Sequence, residues 1–324
     1  MDMDLGQTLL AQLPFTLRDS DFPASLGALY RGKVRDNFSK GDHIVMVTSD
    51  RLSAFDKVLT TVPFKGELLN RLTTFWFEKT HDLADNHLLD VPDPSVLVVR
   101  RLRPLPVEVV VRGRLTGSLW RDVKAGKGAA AYGIALDPAM KKDQPFETPI
   151  LTPSTKEAVG AHDLPISPAE IVARGVVSQK GWDELAAKAL ALFGRGQAWA
   201  RSRGLILVDT KYEFGVDNAG KLWLIDEIHT ADSSRYWLAE GSDQRFAKGE
   251  EQRSLDKEFI RQWLINERGW QGDGPLPEIP DAIRVQLAER YVALVGQLTG
   301  LSPTLVPGDT RARIAAALQA KGYL

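Results

Sequence analysis

The sequence predicts an α+β fold in two lobes, with antiparallel sheets and packed helices, and three observations carry that reading. Residues 28–48 and 205–226 each place two runs of β-forming residues around a short polar turn, which signals a hairpin. Helical periodicity dominates the second half, with apolar positions three and four apart over residues 182–203, 259–266 and 283–299. Between them, Pro104-Leu105-Pro106 separates two strand-like runs and suggests a stiff connection. We therefore expect a β-rich lobe over residues 1–105, an α+β lobe over 106–324, and a ligand cleft between them.

Composition narrows the class. The 324 residues are 44% hydrophobic, enough for a substantial core. With 41 basic and 42 acidic residues the formal net charge is −1, which argues against nucleic-acid or membrane-surface partners. Without cysteine, disulfides, thiolate metal sites and thiol nucleophiles are excluded. The opening Met1-Asp-Met-Asp-Leu5 lacks a signal-peptide pattern and no apolar run would span a bilayer. A cytoplasmic protein is expected, as a monomer or small homo-oligomer.

Taken in order, residues 1–26 are a lead-in with an amphipathic piece at 8–13. The first hairpin strand carries Arg31, Lys33 and Arg35 at a spacing of two, around Gly32. Three cations on one strand face repel unless an anion joins them, and glycine lets a ligand approach the backbone. A triphosphate fits; a solvated basic edge strand is the plain alternative. A polar loop from Asp50 to Asp56 follows, then a helix over 68–81. His81 and His87 have no partner at metal-ligand spacing and read as surface or capping residues. The strand 107–112 ends in Arg112-Gly113-Arg114-Leu-Thr116-Gly117-Ser118, which can cradle a phosphate or carboxylate or simply turn the chain. Residues 121–166 show little periodicity and read as a long flap containing Thr152-Pro-Ser154-Thr-Lys156. Ser167-Pro-Ala-Glu170 is a capping box, and 182–203 is the longest helix, stopped by Gly204. Beyond Arg235 the helical segments read as packing.

The second hairpin concentrates charge. Asp209, Lys211 and Glu213 alternate along its first strand and so face one way. If Val216 pairs with Lys221, Asp226 joins that face, while Tyr212, Phe214, Trp223 and Ile225 share the other. Hard oxygen ligands beside a lysine suit Mg²⁺ and phosphate, whereas a bland hairpin would leave these charges in water. Asp226-Glu227 closes a strongly apolar strand, and a second acid there needs a partner.

Together, Tyr30-Arg-Gly-Lys-Val-Arg35, Ser49-Asp-Arg-Leu-Ser-Ala-Phe-Asp56, Val109-Val-Val-Arg-Gly113 with Thr116-Gly-Ser118, Thr152-Pro-Ser-Thr-Lys156, Asp209-Thr-Lys-Tyr-Glu-Phe-Gly215 and Asp226-Glu227 with Asp232-Ser-Ser-Arg235 resemble the SAICAR synthetase family, in the same order over nearly the whole chain. The length and the Thr-Pro-Ser-Thr-Lys segment are similar to its longer branch. The resemblance implies an ATP-grasp-like fold with the nucleotide cleft between lobes. It implies ligation of L-aspartate to the carboxylate of carboxyaminoimidazole ribotide, through an acyl phosphate, with ATP as co-substrate and Mg²⁺. Lys33 and Arg35 match the strand holding the ATP phosphates, and Glu108 is the expected ribose or adenine contact. Glu213 and Asp226 match the Mg²⁺ ligands. Lys211 matches the lysine beside the transferring phosphate, and Asp209 an acid near the imidazole amine. Arg112, Ser118, Asp232, Ser234 and Arg235 match ribotide-binding positions, while Asp50, Ser154 and Lys156 are expected to help with substrate. His229, Ala231 and Arg114 depart from the family pattern without removing a charged ligand. A small-molecule kinase using the same cleft is the alternative.

Overall fold

The computed structural model describes residues 4–55, 57–156 and 163–324; Asp56 and residues 157–162 of the expected flap lie outside them. Helix α1 (Leu5–Gln12) leads to β1 (Ala28–Arg31), β2 (Arg35–Lys40) and β3 (His43–Thr48). The ribbon β4 (Arg51–Ala54) and β5 (Lys57–Thr61) precedes α2 (Lys65–Lys79). Then come β6 (Leu88–Asp93), β7 (Val96–Arg100), β8 (Arg103–Arg114), α3 (Gly117–Lys124), β9 (Pro145–Leu151) and β10 (Ser154–Thr155). After α4 (Pro168–Ala173) and α5 (Gln179–Ser202) run β11 (Leu205–Val216), β12 (Leu222–Ile225) and β13 (Ser234–Leu238). The chain closes with α6 (Ser242–Lys248), α7 (Glu258–Arg268), α8 (Asp281–Thr299) and α9 (Thr310–Ala320). None of the described helices is long and apolar enough to cross a membrane.

The α+β expectation holds: every named strand pair is antiparallel. One sheet has the order β1-β2-β3-β7-β6; in the other, β8 and β11 are central, with β9 and β10 on the far side of β8 and β12 and β13 on the far side of β11. Tyr212, Phe214, Leu222 and Leu224 point from the second sheet into the main core, against apolar faces of α2, α5 and α8. Full burial of each large apolar side chain contributes roughly 1.5–3 kcal/mol, so the opposite, charged face rests on a rigid support.

Local signals set several helix ends, although α5 starts at Gln179, ahead of the expected 182. The Ser167 hydroxyl accepts from the Glu170 N–H at 3.2 Å, Ser178 does the same for Gly181 at 3.1 Å, and Gly300 ends α8 with φ 78°. Four expectations need correction. Strand β8 runs unbroken through Pro104 and Pro106; each proline removes one N–H, and Gly215 pairs with Pro104 next to a register shift that absorbs the loss. Packing crosses residue 105 in both directions, because Ile314 and Leu318 of α9 cover the first sheet while α2 joins the main core. The 121–166 stretch holds the end of α3, β9, β10 and a small core around Leu119 and Tyr132. Finally, His87 is buried against Phe77 rather than at the surface, its pKa pushed down to about 3 chiefly by burial.

Candidate active site

Strands β8 and β11 build the site by direct opposition: Asp209 faces Arg112, Lys211 faces Val110, and Glu213 faces Glu108. Opposed residues of an antiparallel pair share a face, so the alternation along β11 becomes a charged surface two strands wide. Ser154 of β10 lies opposite Glu108 and extends it by a third strand.

The expected hairpin register is wrong by one residue. Val216 pairs with Leu222 and Glu213 with Ile225. One more residue lies between Val216 and its partner than expected, because Asp217 pairs its N–H with the Lys221 carbonyl at 3.1 Å, Gly220 takes φ 81°, and the Asp217 carboxylate accepts from the N–H groups of Ala219 and Lys221. A one-residue slip exchanges faces, so Trp223 and Ile225 lie on the Glu213 side and Leu222 and Leu224 enter the core. Asp226 still reaches the cluster, by a different device: it leaves β12 with φ 65°, a left-handed turn that Asp tolerates better than most residues. Its carboxylate meets Arg35 Nη1 at 2.9 Å, and Glu227, the least certain acid from sequence, meets Arg35 Nη2 at 2.8 Å.

Lys211 Nζ lies 2.7 Å from Glu108 and 2.5 Å from Glu213, and Lys156 pairs with the other Glu213 oxygen. Burial opposes ionisation of Glu213, yet Lys211 and Lys156 outweigh it and hold its carboxyl well below the usual range. Burial also works against a charged Lys211, but Glu213 and Glu108 hold its ammonium well above its ordinary value. Asp226 moves upward, first through burial and then through Glu213 and Glu227, with Arg35 opposing. An Asp226 carboxylate crowded by Glu213 and Glu227 suits a hard cation. The described residues contain no set of three acids or imidazoles arranged as a metal cage; Mg²⁺ needs only one or two carboxylates beside phosphate and water, so the donor set fits it.

At the far end of the face, Arg112 donates Nε to Thr152 at 2.7 Å, Nη1 to Asp209 at 3.0 Å and Nη2 to Ser118 at 2.9 Å. Arg235 pairs with the same Asp209 oxygen. Gly117 has φ 61° and a Cβ there would overlap the Arg235 guanidinium, so the expected cradle needs glycine for a named reason. Ser234 is tied to Thr210 at 2.8 Å. Asp232 is turned into the protein, where Lys65 Nζ lies at 2.7 Å and the Tyr291 hydroxyl donates at 3.2 Å.

The three-cation strand is not formed. It breaks at Gly32-Lys33-Val34, a turn between β1 and β2 closed by the Gly32 N–H to the Arg35 carbonyl at 2.8 Å. Arg31 turns to Asp21 at 2.8 Å, Lys33 lies in the turn, and Arg35 points to Asp226. Asp50, expected near substrate, is 2% exposed and accepts from the N–H groups of Leu17 at 2.7 Å and Gly66 at 2.9 Å. It anchors α2, and burial pushes its pKa up to about 6. His229 is likewise structural: it is buried with φ 52° and lies 2.5 Å from the Tyr212 hydroxyl, behind the sheet.

A cavity of about 220 Å³ opens among Arg112, Ser118, Asp209, Lys211, Asp232 and Arg235, and its other wall is Asp256, Lys257 and Arg261. A larger cleft of about 970 Å³ adjoins it, sharing Arg235 and Arg261. Reading the segment past Arg235 as packing missed this wall; the available signal was Lys257 and Arg261 four residues apart, on one face of a helix start. Arg235→Ala is expected to raise the apparent KM of the anion bound here about tenfold or more, because a charge-assisted contact is lost. Steady-state KM values would show it, and a defect confined to ATP would contradict the placement.

Comparison with known proteins finds relatives over most of the chain. The SAICAR synthetase family profile matches residues 28–276. A curated relative, phosphoribosylaminoimidazole-succinocarboxamide synthase of Legionella pneumophila (strain Lens), is 46% identical over 295 residues, covering 90% of this chain and 93% of its own. Among solved structures, the SAICAR synthase of Saccharomyces cerevisiae complexed with SAICAR superposes with a TM-score of 0.75 at 30% identity, over 89% of this chain and 100% of that one. A SAICAR synthetase in complex with ADP gives 0.66 at 25% identity, over 86% and 100%.

Proposed function

Because the chain belongs to the SAICAR synthetase family, we infer that it is an ATP-dependent carbon–nitrogen ligase of purine biosynthesis. It joins L-aspartate to the carboxylate of 5-amino-1-(5-phosphoribosyl)imidazole-4-carboxylate, giving SAICAR, ADP and phosphate. The observation that carries this reading is one sheet face with Lys211 held between Glu108 and Glu213 at one end and Asp209 held by Arg112 and Arg235 at the other.

That arrangement suits activation of an acid. A carboxylate is a poor acylating group, so ATP converts it to an acyl phosphate, which the aspartate amine then attacks as phosphate leaves. The protein's part is positioning and charge neutralisation. In this proposal Lys211 directs its ammonium at the transferring phosphoryl group, and Lys33 and Arg35 hold the remaining ATP phosphates. Glu108 meets the ribose or adenine. Glu213 and Asp226 would hold Mg²⁺, which supplies positive charge to the phosphate oxygens when bound. Arg112, Ser118 and Arg235 take ribotide anions, Asp209 faces the imidazole amine, and Asp232 and Ser234 brace that clamp. Ser154 and Lys156 border the substrates from β10. The sheet of β1, β2, β3, β7 and β6 covers the nucleotide in an ATP-grasp-like manner, and the sheet built on β8 and β11 carries the metal and substrate groups. A cytoplasmic setting suits these phosphorylated, water-soluble substrates.

ADP release is expected to require ribotide and L-aspartate together, with SAICAR as product by mass spectrometry. ADP formed at full rate without aspartate, alongside a phosphorylated alcohol, would return the protein to the kinases.

A further inference from the structure

Most cations lining the small cavity have their donors committed. Arg112 uses Nε, Nη1 and Nη2 on Thr152, Asp209 and Ser118. Lys211 is shared by Glu108 and Glu213, and Arg235 pairs with Asp209. The opposite wall differs. Among the described residues no hydrogen bond engages the Lys257 ammonium, and Arg261 makes only one contact, Nη1 to Glu258 at 3.3 Å, leaving Nε and Nη2 open. Lys257 immediately precedes α7 and Arg261 lies a turn further on, so the two share a face and line the cavity together.

Charge and size agree with this accounting. Burial, Arg261 and Lys65 hold the Lys257 ammonium below its ordinary range against Asp232 and Glu227, and an added anion would relieve the crowding. At about 220 Å³ the cavity has room for roughly seven water molecules at ~30 Å³ each. A four-carbon dicarboxylate fits that space, whereas a whole ribotide must extend into the neighbouring cleft.

We propose that Lys257 and Arg261 form a second anion subsite of the cleft, taking a substrate carboxylate or phosphate that Arg112, Ser118 and Arg235 do not hold. This rests on the ligase reading above. L-aspartate is the expected source, since its two carboxylates are the substrate anions without an assigned partner; the ribotide phosphate has the same chemistry.

The test uses the full chain carrying Lys257→Gln, Arg261→Gln or Arg261→Lys, with melting temperature as the check on folding. Loss of a charge-assisted contact is expected to raise the aspartate KM about 10- to 100-fold, with the ATP KM near wild type and Arg261→Lys recovering part of the loss. Succinate, which lacks the amine, should compete with aspartate in the wild type and lose potency in the Gln variants. A rise in the ribotide KM instead, with succinate inhibition intact, assigns the subsite to the phosphate. Unchanged KM values for both substrates in folded variants overturn it. If the wild type makes product without aspartate, the ligase reading fails instead, and that control is read first.

Discussion

Glu213→Gln is expected to lower kcat by about 10²-fold or more, the scale seen when one preorganised charge contact to a developing centre is removed. The substitution keeps the shape of the side chain and removes its charge. Lys211 and Lys156 then lose the carboxylate that holds them, and the proposed Mg²⁺ site loses one of two hard ligands. Higher Mg²⁺ should restore part of the rate, and calorimetric titration of Mg·ADP should show weaker metal-dependent binding. Asp226→Asn should behave alike, with Arg35 as the stranded partner. Near-normal turnover at ordinary Mg²⁺ would remove both residues from the metal shell.

The second large effect is on stability. Lys65 is fully buried at the start of α2 and its ammonium pairs with Asp232. Lys65→Met leaves that carboxylate without its cation and should cost about 3–5 kcal/mol, the range for breaking a buried pair from one side, and several degrees of melting temperature. Gly66 fixes the geometry: a Cβ there would overlap the Thr48 carbonyl oxygen, so α2 packs tightly on the end of β3. The double variant Lys65→Met, Asp232→Asn removes both charges and should recover much of the stability without recovering the ribotide KM, because Asp232 no longer orients the turn that carries Arg235. Equal stability losses for the single and double variants would contradict the pairing argument.

How far the sequence could be read depended on the range of the interactions. Ser167, Gly204 and Gly300 act through neighbours within a few residues, so the start of α4 and the ends of α5 and α8 were legible, whereas the Ser178 cap ahead of residue 182 was not. Asp209, Lys211 and Glu213 were legible as one face because alternation along a strand is local. The hairpin register failed because it turned on whether the Asp217 carboxylate would fold back on Ala219 and Lys221, and a strand pattern does not decide that. The Arg31-Lys33-Arg35 strand failed for a similar reason: Gly32 was read as room for a ligand, and the chain uses it to turn.

What the sequence determined by itself is the chemistry on offer: the α+β class, the row of Asp209, Lys211 and Glu213, and the acids and cations of a phosphate-handling cleft. Only the tertiary structure decided which groups meet. It set Glu108 and Arg112 opposite β11, carried Asp226 back through a left-handed turn, buried Asp50 and Asp232 as supports, and brought Lys257 and Arg261 across to the open wall. Side-chain periodicity is a property of one strand or helix, whereas partners such as Lys65 and Asp232 are chosen by how separate elements pack. The competition between burial and pairing that settles those choices exists only once the chain has closed around them.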